Sequence, residues 1–398
     1  MSGEVSRTGP GLASPAWSAV RAPESRPRHP FGIASRPGSG KLIPFESREA
    51  MPDLAPPSAD LLTGLLRDVS RSFYQTLRVL PAAIRPQIGL AYLLARTTDT
   101  IADTAIVPVP ERLAALAALR DRILGRTTAP LPVGQFLQVE GDLGAPASAA
   151  EHALLGRVEE ALALLDSLTE PDRRLVRQVL ETITGGQELD LQRFGGASVD
   201  QIVALANDAE LDDYTYRVAG CVGEFWTRMC RSHLFPTAVI DDPFLLTNGV
   251  RFGQGLQLVN ILRDVPADLR QGRCYVPIDG LRRQGLTPSS LLEPSGIGRF
   301  RNVYDAHLAL AREHLAAGWH YTNALPWRQM RVRLACAWPI LIGARTLARL
   351  RTGNVLDARQ RIKIPRTELR RLMLRSVLVY PFPSLWERQF DQARIGSA

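Results

Sequence analysis

Helical periodicity without strand periodicity is the feature that most constrains how this chain can fold. From Ser58 onward, apolar residues recur three and four positions apart, which is typical of helices that bury one face. The first such stretch contains Leu61, Leu62, Leu65, Leu66 and Val69. Strand-like alternation is almost absent and no repeat of fixed period occurs. The sequence therefore predicts one large all-α domain over residues 58–380, although 398 residues could hold two ordinary domains.

The predicted helices follow one another with short breaks. Pro81 is a candidate start of a helix that runs to Asp103, because proline is tolerated in the first turn. Later helices are expected near 111–125, 150–168, 172–193, 199–233, 243–264, 300–324, 330–351 and 366–378. Residues 381–398 are expected to form a short C-terminal tail.

The first 57 residues differ from the rest in composition. They are rich in Pro, Gly, Ser and Arg, and such a segment buries too little apolar area to offset its ordering entropy. We expect a disordered extension. Met51 stands at its end, so a translation start at Met51 is an alternative to a functional tail, and deletion of residues 1–50 is expected to leave activity unchanged.

Charge and cysteine content narrow the functional classes. The net charge of +8 fits an anionic ligand, a phosphate-rich membrane surface or nucleic acid. A nucleic-acid binder would need exposed aromatic residues or a known motif beside the basic patch, and neither is evident. Four scattered cysteines without a CxxC pair indicate a reducing cytoplasm. No secretory signal and no apolar run of membrane-spanning length occur.

Two pairs of aspartates carry the main chemical signal. Asp99 and Asp103 form one pair, and Asp264 and Asp268 form the other, each with i, i+4 spacing. On a helix this spacing puts both carboxylates on one face, where they repel each other unless a cation lies between them. Magnesium takes oxygen ligands and shares them with substrate phosphates. The two pairs therefore predict a diphosphate held by Mg²⁺ between facing helices, with Mn²⁺ as a second candidate.

The residues around these pairs resemble the squalene/phytoene synthase family of head-to-head prenyl transferases. The resemblance rests on both aspartate motifs, on Ser70-Arg71-Ser72-Phe73, on the segment from Tyr214 to Gly223, and on Gly272-Arg273-Cys274-Tyr275-Val276-Pro277. It covers residues 58–378 and implies a single isoprenoid-synthase bundle of helices around a central cavity. Within the family, the chain most resembles squalene synthases.

The resemblance also implies roles for individual residues. The four aspartates would coordinate metal, and Tyr214 would be the catalytic tyrosine. Ser70 and Phe73 would line the first prenyl site, while Gln257 and Asn260 would lie near the diphosphate and metals. The arginines expected to contact diphosphate are Arg71, Arg96, Arg263 and Arg273. Asp190 is a candidate supporting residue, with a structural role as the alternative.

The implied reaction joins two farnesyl diphosphates through presqualene diphosphate. Tyr214 or the released pyrophosphate would take the proton that is lost on cyclopropane closure. Squalene synthases then use NADPH as hydride donor, and Lys363, one of only two lysines, stands in a segment similar to the one that meets the cofactor's phosphate. Without reductant, the alternatives are dehydrosqualene synthase, phytoene synthase or presqualene diphosphate synthase.

Departures from the family pattern bear on metal content and location. Ala102 and Ala267 stand where other members often carry a third acid, so the metal count is left open. A C-terminal membrane anchor is not recognisable. Because squalene is insoluble in water, we expect peripheral contact with a membrane during product release, aided by arginines near 359–375. No obligate protein partner and no nucleic-acid partner are expected.

Overall fold

The part of the chain that the structure describes is mostly helical, as the periodicity predicts. The structure is a computed structural model, and it describes residues 60–70, 74–137, 146–360 and 362–395. The predicted disorder of residues 1–57 lies outside these ranges. The described helices are α1 (Leu66–Ser70), α2 (Tyr74–Val79), α3 (Arg85–Asp103), α4 (Val109–Ile123), α5 (Gly134–Leu137), α6 (Pro146–Gly156), α7 (Val158–Ser167), α8 (Glu170–Phe194), α9 (Asp208–Thr215), α10 (Cys221–Leu234), α11 (Asp242–Arg270), α12 (Ile278–Arg283), α13 (Ile297–Ala324), α14 (Met330–Thr352), α15 (Arg366–Val379) and α16 (Pro383–Ile395).

Short irregular elements join these helices. Wider π-helical turns span Leu61–Leu65 and Tyr216–Gly220, and 3₁₀ turns span Ser289–Leu292 and Pro294–Gly296. The one strand pair among the described residues is β1 (Val203–Ala204) with β2 (Arg273–Cys274), which run parallel. The all-α prediction is therefore confirmed. The helix predicted at 199–233 begins only at Asp208, because the residues before it form a loop and the strand β1 that pairs with β2. From Asp208 it runs through the π-helical turn to Leu234.

Local capping explains where two functionally important helices begin. The Asn207 side chain accepts a hydrogen bond from the backbone N–H of Glu210 at 3.0 Å, and Asp241 accepts one from Phe244 at 2.9 Å. Each satisfies a donor that the first helical turn cannot pair internally. α9 and α11 are thereby held at fixed start points, ahead of Tyr214 and of the second acidic pair.

The core consists of two large apolar clusters that meet along α11, α13 and α14, and of a small third one at Val218 and Ala219. The first cluster contains α3, α4, α7 and α8, and the second contains the later half of α11 with α13, α14 and α16. The first acidic pair lies at the end of α3, and the second lies on α11. The two pairs are therefore positioned by different halves of the core.

Close helix approach fixes the segment after Tyr214 against α11. A Cβ atom at Gly253 would stand 2.1 Å from the carbonyl oxygen of Ala219, and one at Gly223 would stand 1.8 Å from the carbonyl oxygen of Gly249. No side chain fits at these distances, so only glycine allows this contact. The small residues in this part of the sequence thus correspond to direct contact between the backbones of two helical segments.

A buried arginine within an aromatic cluster fastens the C-terminal helices. Arg333 lies 4.7 Å from the ring centre of Trp327 and 5.5 Å from that of Trp386, and it donates to the Leu325 carbonyl at 2.7 Å. Trp386 is fully buried and donates to the Asn323 side chain at 2.7 Å. The segment expected as a short tail, 381–398, therefore contains a helix, α16, that is part of the core.

Membrane-spanning helices are absent from the described ranges, since none of their helices is both long and apolar enough to cross a bilayer.

We predict that Trp386→Ala lowers the free energy of unfolding by about 3–5 kcal/mol, because it leaves a large cavity between α14 and α16. Urea unfolding followed by circular dichroism would measure this loss. The matched control is Gln392→Ala, an exposed position on the same helix, which should change stability by less than about 0.5 kcal/mol. Equal stability of the two variants would mean that α16 contributes little to the core.

Candidate functional site

The first acidic pair lies in the last two turns of α3. Asp99 is buried, with Arg96 Nη1 at 3.7 Å, and Gln187 Nε2 donates to its Oδ1 at 2.5 Å. Arg96 also forms an ion pair with Glu151. Burial raises the pKa of Asp99 from its ordinary 3.8 to about 7, although Arg96 and Gln187 oppose the rise. Arg96 and Gln187 therefore do not fully offset the effect of burial on this carboxylate.

The second acidic pair shares one face of α11 with two amides. Gln257, Asn260, Asp264 and Asp268 follow one another at spacings of three and four residues, so they line up along the helix. Asp264 is half-buried and pairs with Arg263 at 2.5 Å. Asp268 is buried beyond Pro266, through which the helix continues to Arg270. The whole row is held by one rigid element.

The two amides on this row are buried without complete partners. Oε1 of Gln257 and Nδ2 of Asn260 have no hydrogen-bond partner among the described residues, and both side chains are only 2% exposed. An unpaired buried polar atom costs roughly 1–3 kcal/mol unless a ligand satisfies it. These two atoms therefore favour a polar ligand beside the second acidic pair.

Arg273 is the positive charge shared by the two pairs. Burial raises the pKa of Asp103 well above the ordinary range, and the negative charge of Asp99 raises it further. Burial does the same to the pKa of Asp268, and there Asp264 adds to the rise. The guanidinium of Arg273 acts against the rise at both carboxyls. Arg273 thus lies within electrostatic reach of both motifs and brings them into one site.

A glycine turn and a strand pair position Arg273. Gly272 has a φ of +79°, a conformation that side chains rarely adopt, and a Cβ there would lie 2.3 Å from the backbone nitrogen of Ser198. Arg273 then pairs with Val203 across β1 and β2. The backbone that carries this arginine is therefore fixed from both sides.

Asp190 on α8 joins Arg273 to two tyrosines. It accepts hydrogen bonds from Arg273 Nη1 at 3.1 Å and from the hydroxyl of Tyr275 at 3.0 Å. The ring of Tyr275 stacks on that of Tyr214, with 4.8 Å between the ring centres. Burial, followed by the nearby Asp190 charge, raises the pKa of Tyr214 well above the ordinary value, so Tyr214 is a neutral phenol.

A second arginine, on α4, lies near Arg273. Arg112 is buried and its Nη1 donates to the carbonyl of Ala102 at 2.7 Å, beside Asp103. Burial lowers its pKa, and the positive charge of Arg273 lowers it further. Two guanidinium groups close enough to repel each other are typical of a site that takes an anion.

Sequence reasoning missed Arg112 and left Tyr275 and Asp190 without a firm role. Arg112 gave no signal, since it lies in an ordinary amphipathic helix. Gln187 and Asp190 did give one, because they are three residues apart on an otherwise apolar face of α8. Gln187 contacts the first acidic pair and Asp190 contacts Arg273 beside the second, so α8 spans both.

The remaining predicted residues belong to other segments of the chain. Ser70 ends α1 and its hydroxyl donates to the Leu66 carbonyl at 2.5 Å. Arg71 and Phe73 lie outside the described residues. Lys363 lies between α14 and α15, where its carbonyl accepts a hydrogen bond from Arg349 at 2.5 Å.

The donor set fits a hard divalent cation that shares its ligands with a substrate. Within the described ranges, no three His, Cys, Asp or Glu side chains come close enough to hold a metal by themselves. The raised pKa of Asp99, Asp103 and Asp268 indicates negative charge that the local arginines do not fully balance. Mg²⁺ usually binds in this way, through one or two carboxylates, substrate phosphates and water.

Comparison with known proteins identifies the family. The sequence model of the squalene/phytoene synthase family matches residues 66–368. A bifunctional lycopene cyclase/phytoene synthase from Colletotrichum graminicola is 30% identical over 251 residues, which is 62% of this chain and 39% of that protein. A presqualene diphosphate synthase from Rhodopseudomonas palustris is 28% identical over 260 residues, covering 65% of this chain and 77% of that protein.

Solved structures show the same fold. The complex of TcSQS with the ligand E5700 matches with a TM-score of 0.63 at 20% identity, over 85% of this chain and 98% of that one. The chain spans 33–39% of the length of the first curated relatives that it matches. The family match nevertheless covers most of the sequence and both acidic pairs. This chain therefore belongs to the squalene/phytoene synthase family.

Proposed function

We propose that this protein catalyses the Mg²⁺-dependent head-to-head condensation of two allylic prenyl diphosphates, with farnesyl diphosphate as substrate. The observation that carries the proposal is Arg273 within electrostatic reach of both Asp103 and Asp268. Two acidic pairs that share one arginine suit a diphosphate, which needs metal on its oxygens and cationic donors beside them. The named activities of the relatives support the same reaction class.

Asp99, Asp103, Asp264 and Asp268 would hold the metal, which is Mg²⁺ or, as the second candidate, Mn²⁺. When bound, the metal supplies Lewis-acid stabilisation of the departing pyrophosphate, worth several kcal/mol. Arg273 and Arg112 would bind the remaining diphosphate oxygens. Arg96 and Arg263, already paired with carboxylates, would hold Asp99 and Asp264 in place. Arg71 is expected to contact diphosphate too, with Ser70 and Phe73 lining the first prenyl site.

Proton removal is the step that the tyrosines would perform. The double bond of the second farnesyl chain attacks the allylic cation, and loss of one proton closes the cyclopropane of presqualene diphosphate. A neutral Tyr214 cannot accept a proton unless it passes on its own. Tyr214 stacks on Tyr275, and the Tyr275 hydroxyl donates to Asp190. This arrangement supports a relay, in which each hydroxyl hands its proton to the next acceptor and Asp190 ends protonated. Released pyrophosphate is the alternative base.

The final product is the finer part of the proposal. We propose reduction to squalene with NADPH, and Lys363 supports it as a cation that could meet the cofactor's phosphate. The non-reductive alternatives draw equal support from the relatives, which are named as phytoene synthases and a presqualene diphosphate synthase. Product analysis separates these outcomes.

We predict that Asp99→Asn and Asp268→Asn each lower turnover by about 10²–10³-fold or more, because each removes a carboxylate that would hold the metal opposite the leaving diphosphate. Pyrophosphate release with farnesyl diphosphate and Mg²⁺ would measure this loss. The control is Asp305→Asn, an exposed aspartate on α13, which should retain full activity. Near-normal turnover in either site variant would contradict the metal assignment.

The pH dependence of stability tests Asp99 independently of turnover. Asp99 binds its proton more tightly in the folded chain, so its contribution to stability is fully present below pH ~4 and is lost as pH rises through about 7. In metal-free buffer, Asp99→Asn should therefore flatten the decline in Tm across this window. An unchanged slope would mean that Asp99 is not a buried, uncompensated carboxyl.

We predict that Tyr275→Phe lowers the rate of presqualene diphosphate formation by about 10²-fold, although Tyr214 remains, because the relay to Asp190 is broken. Single-turnover quench with product analysis would measure the rate, and Asp190→Asn should show a comparable loss. The matched control is Tyr321→Phe, which removes a buried hydroxyl bonded to Thr227 and should leave the rate unchanged. An unaffected rate in Tyr275→Phe would favour pyrophosphate as the base.

We predict that purified protein given farnesyl diphosphate and Mg²⁺ forms squalene only when NADPH is present. Lys363→Ala should raise the apparent KM for NADPH by about fivefold, because one exposed ion pair with the cofactor's phosphate would be lost. It should not change presqualene diphosphate formation. Arg351→Ala, an exposed cation at the end of α14, is the control. Gas chromatography with mass spectrometry gives the products. Dehydrosqualene, or phytoene from geranylgeranyl diphosphate, formed regardless of NADPH would discard the reductive half of the proposal.

A further inference from the structure

An exposed apolar stripe runs from the second half of α15 into α16. Leu374, Leu378 and Phe382 are 61%, 63% and 57% exposed, and Val377 and Leu385 are also exposed. These five residues, here called the C-terminal stripe, lie within twelve positions of one another. Monomeric proteins rarely leave such a cluster of large apolar side chains in water without a use for it.

The stripe belongs to a rigid part of the molecule. On the opposite side of the same helices, Trp386 and Tyr380 are buried against Arg333, and the Trp338 Nε1 donates to the Ser376 hydroxyl at 2.8 Å. The buried face of α15 and α16 is therefore satisfied by the core. The exposed face is a second, independent apolar surface that α15 and α16 present outward.

Arginines surround the stripe. Arg370 and Arg371 precede Leu374 by four and three residues on the exposed side of α15, and Arg366, Arg375 and Arg388 are exposed nearby. No ion pair in the described part of the chain engages any of these five arginines. Between 366 and 388 the exposed acidic side chain is Glu387, because Glu368 is turned inward and pairs with Arg349 at 2.6 Å.

We infer that the C-terminal stripe docks this protein onto an anionic lipid bilayer, with its leucines and phenylalanine in the acyl boundary and its arginines among the headgroups. Apolar side chains beside Arg on one helical face are the pattern of an interfacial helix, and each arginine near an anionic surface adds attraction. A second copy of the chain is the poorer occupant, since a two-fold contact would place five arginines against five. This inference does not depend on the proposed reaction, because it uses only the surface of α15 and α16.

Vesicle flotation of the full-length protein, without substrate, tests the inference. The wild-type protein should float with vesicles of phosphatidylcholine and phosphatidylserine and stay unbound with phosphatidylcholine alone, and added salt should weaken binding. On the anionic vesicles, the triple variant L374S/L378S/F382S and the double variant R371E/R375E should each lower the bound-to-free ratio by at least about tenfold. The control is V239S/L310S, which removes exposed apolar side chains elsewhere and should bind as the wild type does.

Every variant keeps residues 1–59, so differences among them report on the stripe rather than on the arginines of that segment. Failure of the wild-type protein to bind anionic vesicles would overturn the inference. So would equal binding by the triple variant, or a wild-type dimer in light scattering that the triple variant converts to monomer. Because all substituted side chains are exposed, we expect every variant to fold. Circular dichroism and a Tm close to that of the wild type would establish this.

Discussion

Burial of more negative charge than the nearby arginines can balance is the constraint on which the site depends. Asp99 and Asp268 are buried and Asp103 is partly buried, on two different helices, and burial raises the pKa of each. Burial of these carboxyl groups lowers the stability of the protein when no cation is bound, so it favours the binding of a cation. The fold supports it because both acidic pairs sit on long, well-anchored helices, which cannot relax to bring their carboxylates back into water.

Helix α8 connects the parts of this site more directly than the two aspartate helices do. Gln187 binds Asp99, and one turn later Asp190 binds Arg273 and Tyr275. The carboxylates proposed to hold metal, the arginine proposed to bind diphosphate and the tyrosines thus share one rigid support. A small shift of α8 would alter all three together, whereas a shift of α9 would move Tyr214 alone.

Periodicity and spacing predict much of this molecule, and tertiary contact accounts for what they miss. The all-α class follows from helical spacing, and the two acidic pairs follow from the i, i+4 pattern, because both are local properties. Arg112 and the strand pair at 203–204 and 273–274 depend on partners far along the chain, so no local pattern indicates them. The local pattern also misses α16, because Pro381 and Pro383 interrupt the apolar residues that precede Trp386. Neither periodicity nor helix contacts indicate whether NADPH binds at Lys363, because that contact is made with a ligand and not within the chain.

The turn at Gly272 has a consequence for how this site can be tuned. The backbone before Arg273 lies against Ser198, and β2 is held by two residues of β1, so the loop between α8 and α9 sets the position of the shared arginine. Substitutions in residues 195–204, none of which needs to touch substrate, would move a full positive charge relative to both acidic pairs at once. Divergence in this loop is thus a route by which relatives with the same aspartates could differ in how strongly they hold the leaving group.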